Sequence, residues 1–244
     1  MKQKKAKHLK TNGGRENSRI DGLLRVHPHE VSPWRIFKII AEFVSGFEFL
    51  SQYEGKRAAT FFGSSRYSFE DRMYREATDL ARRLSKEGFT IITGGGSGVM
   101  EAANKGAYEA RGRSLGLSIR LPAEQQTNRY VKESESFHYF FTRKVMLSFA
   151  SELYIFFPGG FGTLDEFFEI ITLVQTKKIK SVPVVLIGKK FWKPLLLWIE
   201  NTMHRESRAI DKADMDIYHL VDNANEAFRL VKRFAARRGP SRRK

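Results

Sequence analysis

Nine consecutive residues carry the sharpest chemical signal in the sequence: Pro158-Gly159-Gly160-Phe161-Gly162-Thr163-Leu164-Asp165-Glu166. They follow the apolar run Leu153-Tyr154-Ile155-Phe156-Phe157 and precede a segment with helical spacing. A helix that opens in glycines presents free N–H groups and the positive end of its dipole. With the Thr163 hydroxyl, such an end can hold a phosphate monoester. Glu166 then lies about one turn into the helix, beside whatever that phosphate carries. The same residues also read as Thr163-x-x-Glu166, a capping box that ties a helix start together and performs no chemistry.

A second glycine loop, Gly94-Gly95-Gly96-Ser97-Gly98, follows the apolar run ending Ile91-Ile92-Thr93. It offers the same close backbone approach to an anion, or simply a tight turn from strand to helix. It is not a dinucleotide fingerprint. Counted from Gly94, the sixth position is Val99, and the next strand ends in Arg120 rather than a ribose-binding acid. No GxxxxGK[ST] loop is present. The third feature is Thr142-Arg143-Lys144, read as the start of a helix. Two cations in a first turn oppose the helix dipole, and an anionic ligand there would relieve the conflict. An exposed basic pair is the plainer reading.

The elements that must position these residues alternate regularly. Strand patterns fall at 58–62, 90–93, 114–119, 137–141, 153–157, 182–187 and 217–221. Helix patterns fall at 68–87, 98–111, 142–151, 163–178, 190–204 and 224–234. Runs such as Val182-Pro183-Val184-Val185-Leu186-Ile187 are apolar on both faces, as a parallel strand covered by helices requires. The alternation predicts a single-domain α/β fold, Rossmann-like and doubly wound, with a mainly parallel sheet and helices on both faces. Ligands in such sheets bind beyond the carboxyl ends of the strands, where both glycine loops and Arg143 fall. Ahead of this alternation, within the same domain, Ser32-Pro33 signals a helix over 33–50, rich in aromatic residues, expected to pack on the main body or on a partner subunit.

The net charge of +16 resembles a nucleic-acid signature until it is located. Residues 1–30 carry +5 and residues 229–244 carry +8, so the segment 31–228 carries only +3. We read 1–30 and 236–244 as basic disordered tails flanking a 31–235 domain. Nucleic-acid contact by the tails is not the favoured reading. Cysteine is absent, which excludes disulfides and thiolate chemistry. No apolar stretch reaches the roughly 18 residues a membrane span needs, and no apolar run follows the basic N-terminus. A cytoplasmic protein without membrane contact is expected. No His or acid cluster has metal-ligand spacing, so no metal and no cofactor are expected.

Taken in order, these motifs resemble the Lonely guy family, cytokinin riboside 5′-monophosphate phosphoribohydrolases long labelled possible lysine decarboxylases. The resemblance spans about residues 33–235. It rests on Phe62-Gly63-Ser64-Ser65, the 94–98 loop with Val99-Met100, Leu121-Pro122-Ala123-Glu124-Gln125, Arg143-Lys144 and the 158–166 run, which matches PGGxGTxxE at every fixed position. The resemblance implies that Arg143 and Glu166 form the catalytic pair. It implies that the backbone of Gly159, Gly160, Gly162 and Thr163 holds the 5′-phosphate, in at least a homodimer. Gly95, Gly96 and Ser97 are then expected on the opposite wall, with Ser64 close by and Lys144 assisting Arg143. The implied reaction breaks the N-glycosidic bond of a purine nucleoside monophosphate, giving free base and ribose 5-phosphate. A general AMP nucleosidase and a non-catalytic nucleotide sensor are the alternatives. The lysine decarboxylase label would need a pyridoxal phosphate lysine, and none stands in a recognisable setting.

Overall fold

The computed structural model describes residues 33–120 and 127–237. The expected tails, and the 121–125 motif, lie outside these residues, apart from the end of the last helix. The chain divides into a small unit ending at Lys38 and a main unit from Ile39 onward. In the first, the rings of Trp34 and Phe37 stand 5.9 Å apart. The second contains the whole sheet.

Seven strands form that sheet in the order β4-β3-β2-β1-β5-β6-β7, and every neighbouring pair is parallel. The strands are β1 (Ala58–Phe62), β2 (Thr90–Thr93), β3 (Ser114–Ile119), β4 (Glu133–Phe137), β5 (Tyr154–Phe156), β6 (Val184–Ile187) and β7 (Tyr218–Val221). The helices are α1 (Pro33–Ser51), α2 (Arg72–Lys86), α3 (Val99–Glu109), α4 (Phe140–Phe149), α5 (Phe161–Gln175), α6 (Lys189–Trp198) and α7 (Ala224–Arg237). Central strands are buried along their whole length, as their unbroken apolar runs require. Two cores result. Residues of α2, α3 and α7 pack on one face of the sheet, and residues of α1, α4, α5 and α6 on the other. This is the expected doubly wound fold, with a sheet that is parallel throughout.

The strand order reverses at β1, which pairs with β2 on one side and β5 on the other. A crevice opens at such a switch point, because the connections leave toward opposite faces. The loops that meet there are those after β1, β2 and β5, so the topology brings both glycine loops together.

The fourth strand differs from the 137–141 expectation. It is the polar segment Glu133-Ser134-Glu135-Ser136-Phe137, and Phe140 already opens α4. An edge strand has one neighbour and need not be apolar on both faces. Its polar groups find partners: Tyr53 donates to Glu133 at 2.6 Å, and the Ser118 and Ser136 hydroxyls meet at 2.7 Å. Two helices, α4 and α5, begin two residues before the 142 and 163 starts expected from spacing. The 190–204 helix becomes α6 followed by a π-helical turn, Ile199–Glu206, and the 3-10 turn Lys212–Asp216 has no counterpart among the expected elements. No helix among the described residues is long and apolar enough to cross a membrane.

Candidate active site

Three strand-end loops interlock at the switch point, and Ser64 is where they meet. Its N–H donates to Pro158 O at 3.0 Å, and its carbonyl accepts from Val99 N at 3.0 Å. The Ser97 hydroxyl donates to Ser65 O at 2.9 Å. Gly98 holds φ +68°, and a Cβ there would stand 2.2 Å from Ser64 O. A residue other than glycine would clash and strain at once. Beneath the 94–98 loop runs a buried polar network. Gly95 N donates to the Thr93 hydroxyl at 2.9 Å, and Thr93 donates to Asn104 Oδ1 at 2.7 Å. Asn128 donates to Gly96 O at 2.9 Å and to the same Asn104 oxygen at 3.0 Å. This loop is fixed by side chains that flank it in the fold, those of Thr93, Asn104 and Asn128.

The 158–162 loop is different. Gly160 is the N-cap of α5, and no side chain caps the helix. The capping-box reading of Thr163 and Glu166 is therefore excluded, since the helix begins before Thr163. The N–H groups of Phe161 and Gly162 lie in the first turn, where no intrahelical partner exists. A Cβ built on Gly160 or on Gly162 would meet nothing within 4 Å. Thr163 folds over Gly159, whose own Cβ would fall 2.1 Å from the Thr163 hydroxyl.

Glu166 stands behind this helix end. It is 6% exposed, and its Oε2 is buried without a hydrogen-bond partner among the described residues. Burial pushes its carboxyl up to about 7, and Glu169 and Asp165 add to the rise, while Lys144 and Arg143 oppose it. A carboxylate kept this way is costly and reactive.

Arg143 approaches from α4. Its Nε donates to Leu117 O, at the end of β3, at 2.7 Å. Its guanidinium lies against Gly94, where a Cβ would stand 2.1 Å from Nη2. Gly94 is therefore glycine to admit the arginine. Burial lowers the Arg143 pKa and the charge of Glu166 counters that, so the two groups sense each other.

The sequence model of the family described as possible lysine decarboxylase matches residues 100–231, which include Arg143 and Glu166. Two cytokinin riboside 5′-monophosphate phosphoribohydrolases of Arabidopsis thaliana are similar. One is 31% identical over 175 residues, 70% of this chain and 75% of its own. The other is 26% identical over 194 residues, 77% of this chain and 87% of its own. The chain belongs to the Lonely guy family. Solved structures share its fold. A molybdenum cofactor carrier protein from Chlamydomonas reinhardtii superposes with a TM-score of 0.58 at 22% identity, over 74% of this chain and 99% of that one. A molybdenum cofactor binding protein from Rippkaea orientalis gives 0.55 at 20% identity, over 75% and 99%.

In this Lonely guy family member, the 158–166 run, Arg143, Ser64 and the 94–98 loop meet beside the ends of β1, β2 and β5. Lys144 takes a different place from the one expected. It ion-pairs with Asp165 and with Glu169, the latter at 3.2 Å, and so bridges α4 to α5 on the flank of Glu166. Burial works against its ammonium, but Asp165, Glu166 and Glu169 outweigh that and hold its pKa above the usual value. The acid pair Asp165 and Glu169, four apart on one helix face, was the sequence signal for such a cation. Asn128 carried no signal, being some thirty residues from the carbonyls it holds. Cavities of about 520 Å³ beside Gln175 and Asp214 and about 420 Å³ beside Lys190 and Leu197 lie elsewhere on the surface. Neither hollow brings together strand-end loops and a buried carboxylate as the switch point does.

Proposed function

We propose that this chain hydrolyses the N-glycosidic bond of a purine nucleoside 5′-monophosphate, releasing the free base and ribose 5-phosphate. The observation that carries the reading is the buried, unpartnered carboxylate oxygen of Glu166 behind the uncapped N-terminus of α5. The 5′-phosphate sits on the first-turn amides of α5 and the Thr163 hydroxyl. The ribose then reaches back toward Glu166. Leaving of the base builds positive charge at C1′, which the Glu166 carboxylate stabilises. Glu166 also takes a proton from the attacking water. The water oxygen bonds to C1′, the C1′–N9 pair departs with the base, and the base is protonated at nitrogen. Arg143 compensates the growing negative charge on the base and orients the nucleotide.

The names of the relatives support a cytokinin-type base as the natural substrate, with AMP as the simplest analogue. Lys144 speaks against decarboxylase chemistry at this site. A Schiff-base lysine needs a lowered pKa, and this one is raised by its three acids. Ile40, Val44, Phe47, Phe140, Phe141 and Phe149 are each about half exposed, which supports a homo-oligomer as the working form.

A panel of nucleoside monophosphates, including AMP and isopentenyladenosine monophosphate, incubated with the pure protein tests the reading. Released base, resolved by chromatography, with an equal yield of ribose 5-phosphate is expected. Tight binding of AMP with no base released would make the protein a sensor instead.

A further inference from the structure

The helix carrying Arg143 has no capping side chain of its own. Its entry is closed by a carboxylate from a distant element. Glu42, on α1, accepts the backbone N–H of His138 at 2.6 Å through Oε1. Its Oε2 accepts the N–H of Tyr139 at 3.2 Å and the Thr142 hydroxyl at 2.5 Å. Thr142 is fully buried and adjoins Arg143 in sequence. One carboxylate thus gathers three donors across the turn from β4 into α4. Its charge also sits at the positive end of the α4 dipole, where Arg143 and Lys144 are unfavourable. The anion that the sequence called for at this helix start is supplied by the protein.

A separate contact holds α1 in place for this. At Gly46, one turn beyond Glu42, a Cβ would fall 2.6 Å from Met146 Sδ and 3.0 Å from the Phe137 ring. Only glycine lets α1 approach α4 this closely. Phe47 and Phe149 add an edge contact, with ring centroids 6.2 Å apart. At the far side of α4, Arg143 must reach Leu117 O and fit against Gly94. A ten-residue helix shifts as one body, so freeing its entry displaces the guanidinium.

We propose that Glu42 is a positioning residue for Arg143, fixing the register of α4 so that the guanidinium stays against Gly94 with its Nε on Leu117 O. The role in turnover rests on the hydrolase reading above, whereas the positioning does not. Three measurements on Glu42→Ala and on the milder Glu42→Gln test it: thermal unfolding, AMP hydrolysis, and exchange of the Arg143 Nε–H by NMR, assigned with Arg143→Lys. The part-buried Nε–H, bound to Leu117 O, is expected to exchange slowly in the native protein and about tenfold faster or more in Glu42→Ala. The kcat is expected to fall about tenfold to a hundredfold, with KM changed much less. In an Arg143→Ala background, Glu42→Ala should add no further loss of kcat. Unchanged Nε–H exchange in both Glu42 variants, or an equal loss of kcat with and without Arg143, would overturn the proposal. Should the native protein hydrolyse no monophosphate, the hydrolase reading fails, and the exchange measurement alone decides the positioning. Should Glu42→Ala not fold, Glu42→Gln carries the same comparisons.

Discussion

The two glycine loops look alike in sequence and are used in opposite ways. In the 94–98 loop every constraint is internal. Gly94 yields space to Arg143, Gly95 and Gly98 hold positive φ, and Gly98 abuts the Ser64 carbonyl. Thr93 and Asn128 engage its amides and carbonyls. In the 158–162 loop, a Cβ on Gly160 or Gly162 would meet nothing within 4 Å among the described residues. Glycine that packing explains is scaffold. Glycine that faces open space over a bare helix end marks a surface shaped for a ligand. On the proposed reading the first loop builds a wall, and the second, where Gly159 alone is packed, takes the anion.

The largest effect that could break this contrast is at Glu166. Glu166→Gln keeps volume and removes charge, so the fold and AMP binding should persist while kcat falls on the order of a thousandfold. Wild-type turnover in that variant, measured by base release, would leave the open loop without chemistry behind it.

Next comes the phosphate. Adenosine lacks the group that the 158–162 loop is proposed to grip, so its kcat/KM should be about a hundredfold or more below that of AMP. Equal values in a competition assay would return this loop to the status of a turn.

The glycines themselves allow a paired comparison. Gly98→Ala should lower stability by about 2 kcal/mol or more, because of its φ and the Ser64 carbonyl. Gly162→Ala meets nothing in the apo protein and lies in the first turn of α5. Stability there should hold or rise by up to about 1 kcal/mol. The KM for AMP should nonetheless rise several-fold. Thermal unfolding beside steady-state kinetics reads both; a Gly162→Ala enzyme with native KM would sink the assignment of the anion site.

The smallest effect concerns pH. The Glu166 carboxyl is raised from an ordinary value to about 7, so the folded protein binds a proton there that the unfolded chain has released between about 4.5 and 7. Its contribution to stability is therefore lost as pH rises through that window. In the proposed mechanism the charged form serves C1′, so kcat/KM should climb as pH passes about 7. A profile flat from pH 5 to pH 8 would show that Glu166 is not the titrating base.

Much of this was legible in the residues. The apolar runs 153–157 and 182–187 read as strands covered on both faces, and the strands fall within them at 154–156 and 184–187. The expectations for Arg143, Glu166 and the PGGxGT backbone came from the family resemblance, since local spacing alone left a capping box and an exposed basic pair open. The edge strand was not legible, since a strand with one free side tolerates Glu133, Ser134 and Glu135 and loses the apolar signature. Nor were Glu42 and Asn128, whose partners lie about a hundred and about thirty residues away.

The choice between capping box and ligand cradle shows where the division falls. Sequence determined that a glycine-opened helix would follow a buried strand, because backbone permissiveness and apolar periodicity are local properties. Tertiary structure decided where that helix starts and how deeply Glu166 is buried. It also decided that Lys144 faces Asp165 and Glu169 while Arg143 reaches Leu117. Desolvation and charge pairing depend on which distant elements arrive alongside, and that is fixed only when the sheet closes its order around β1.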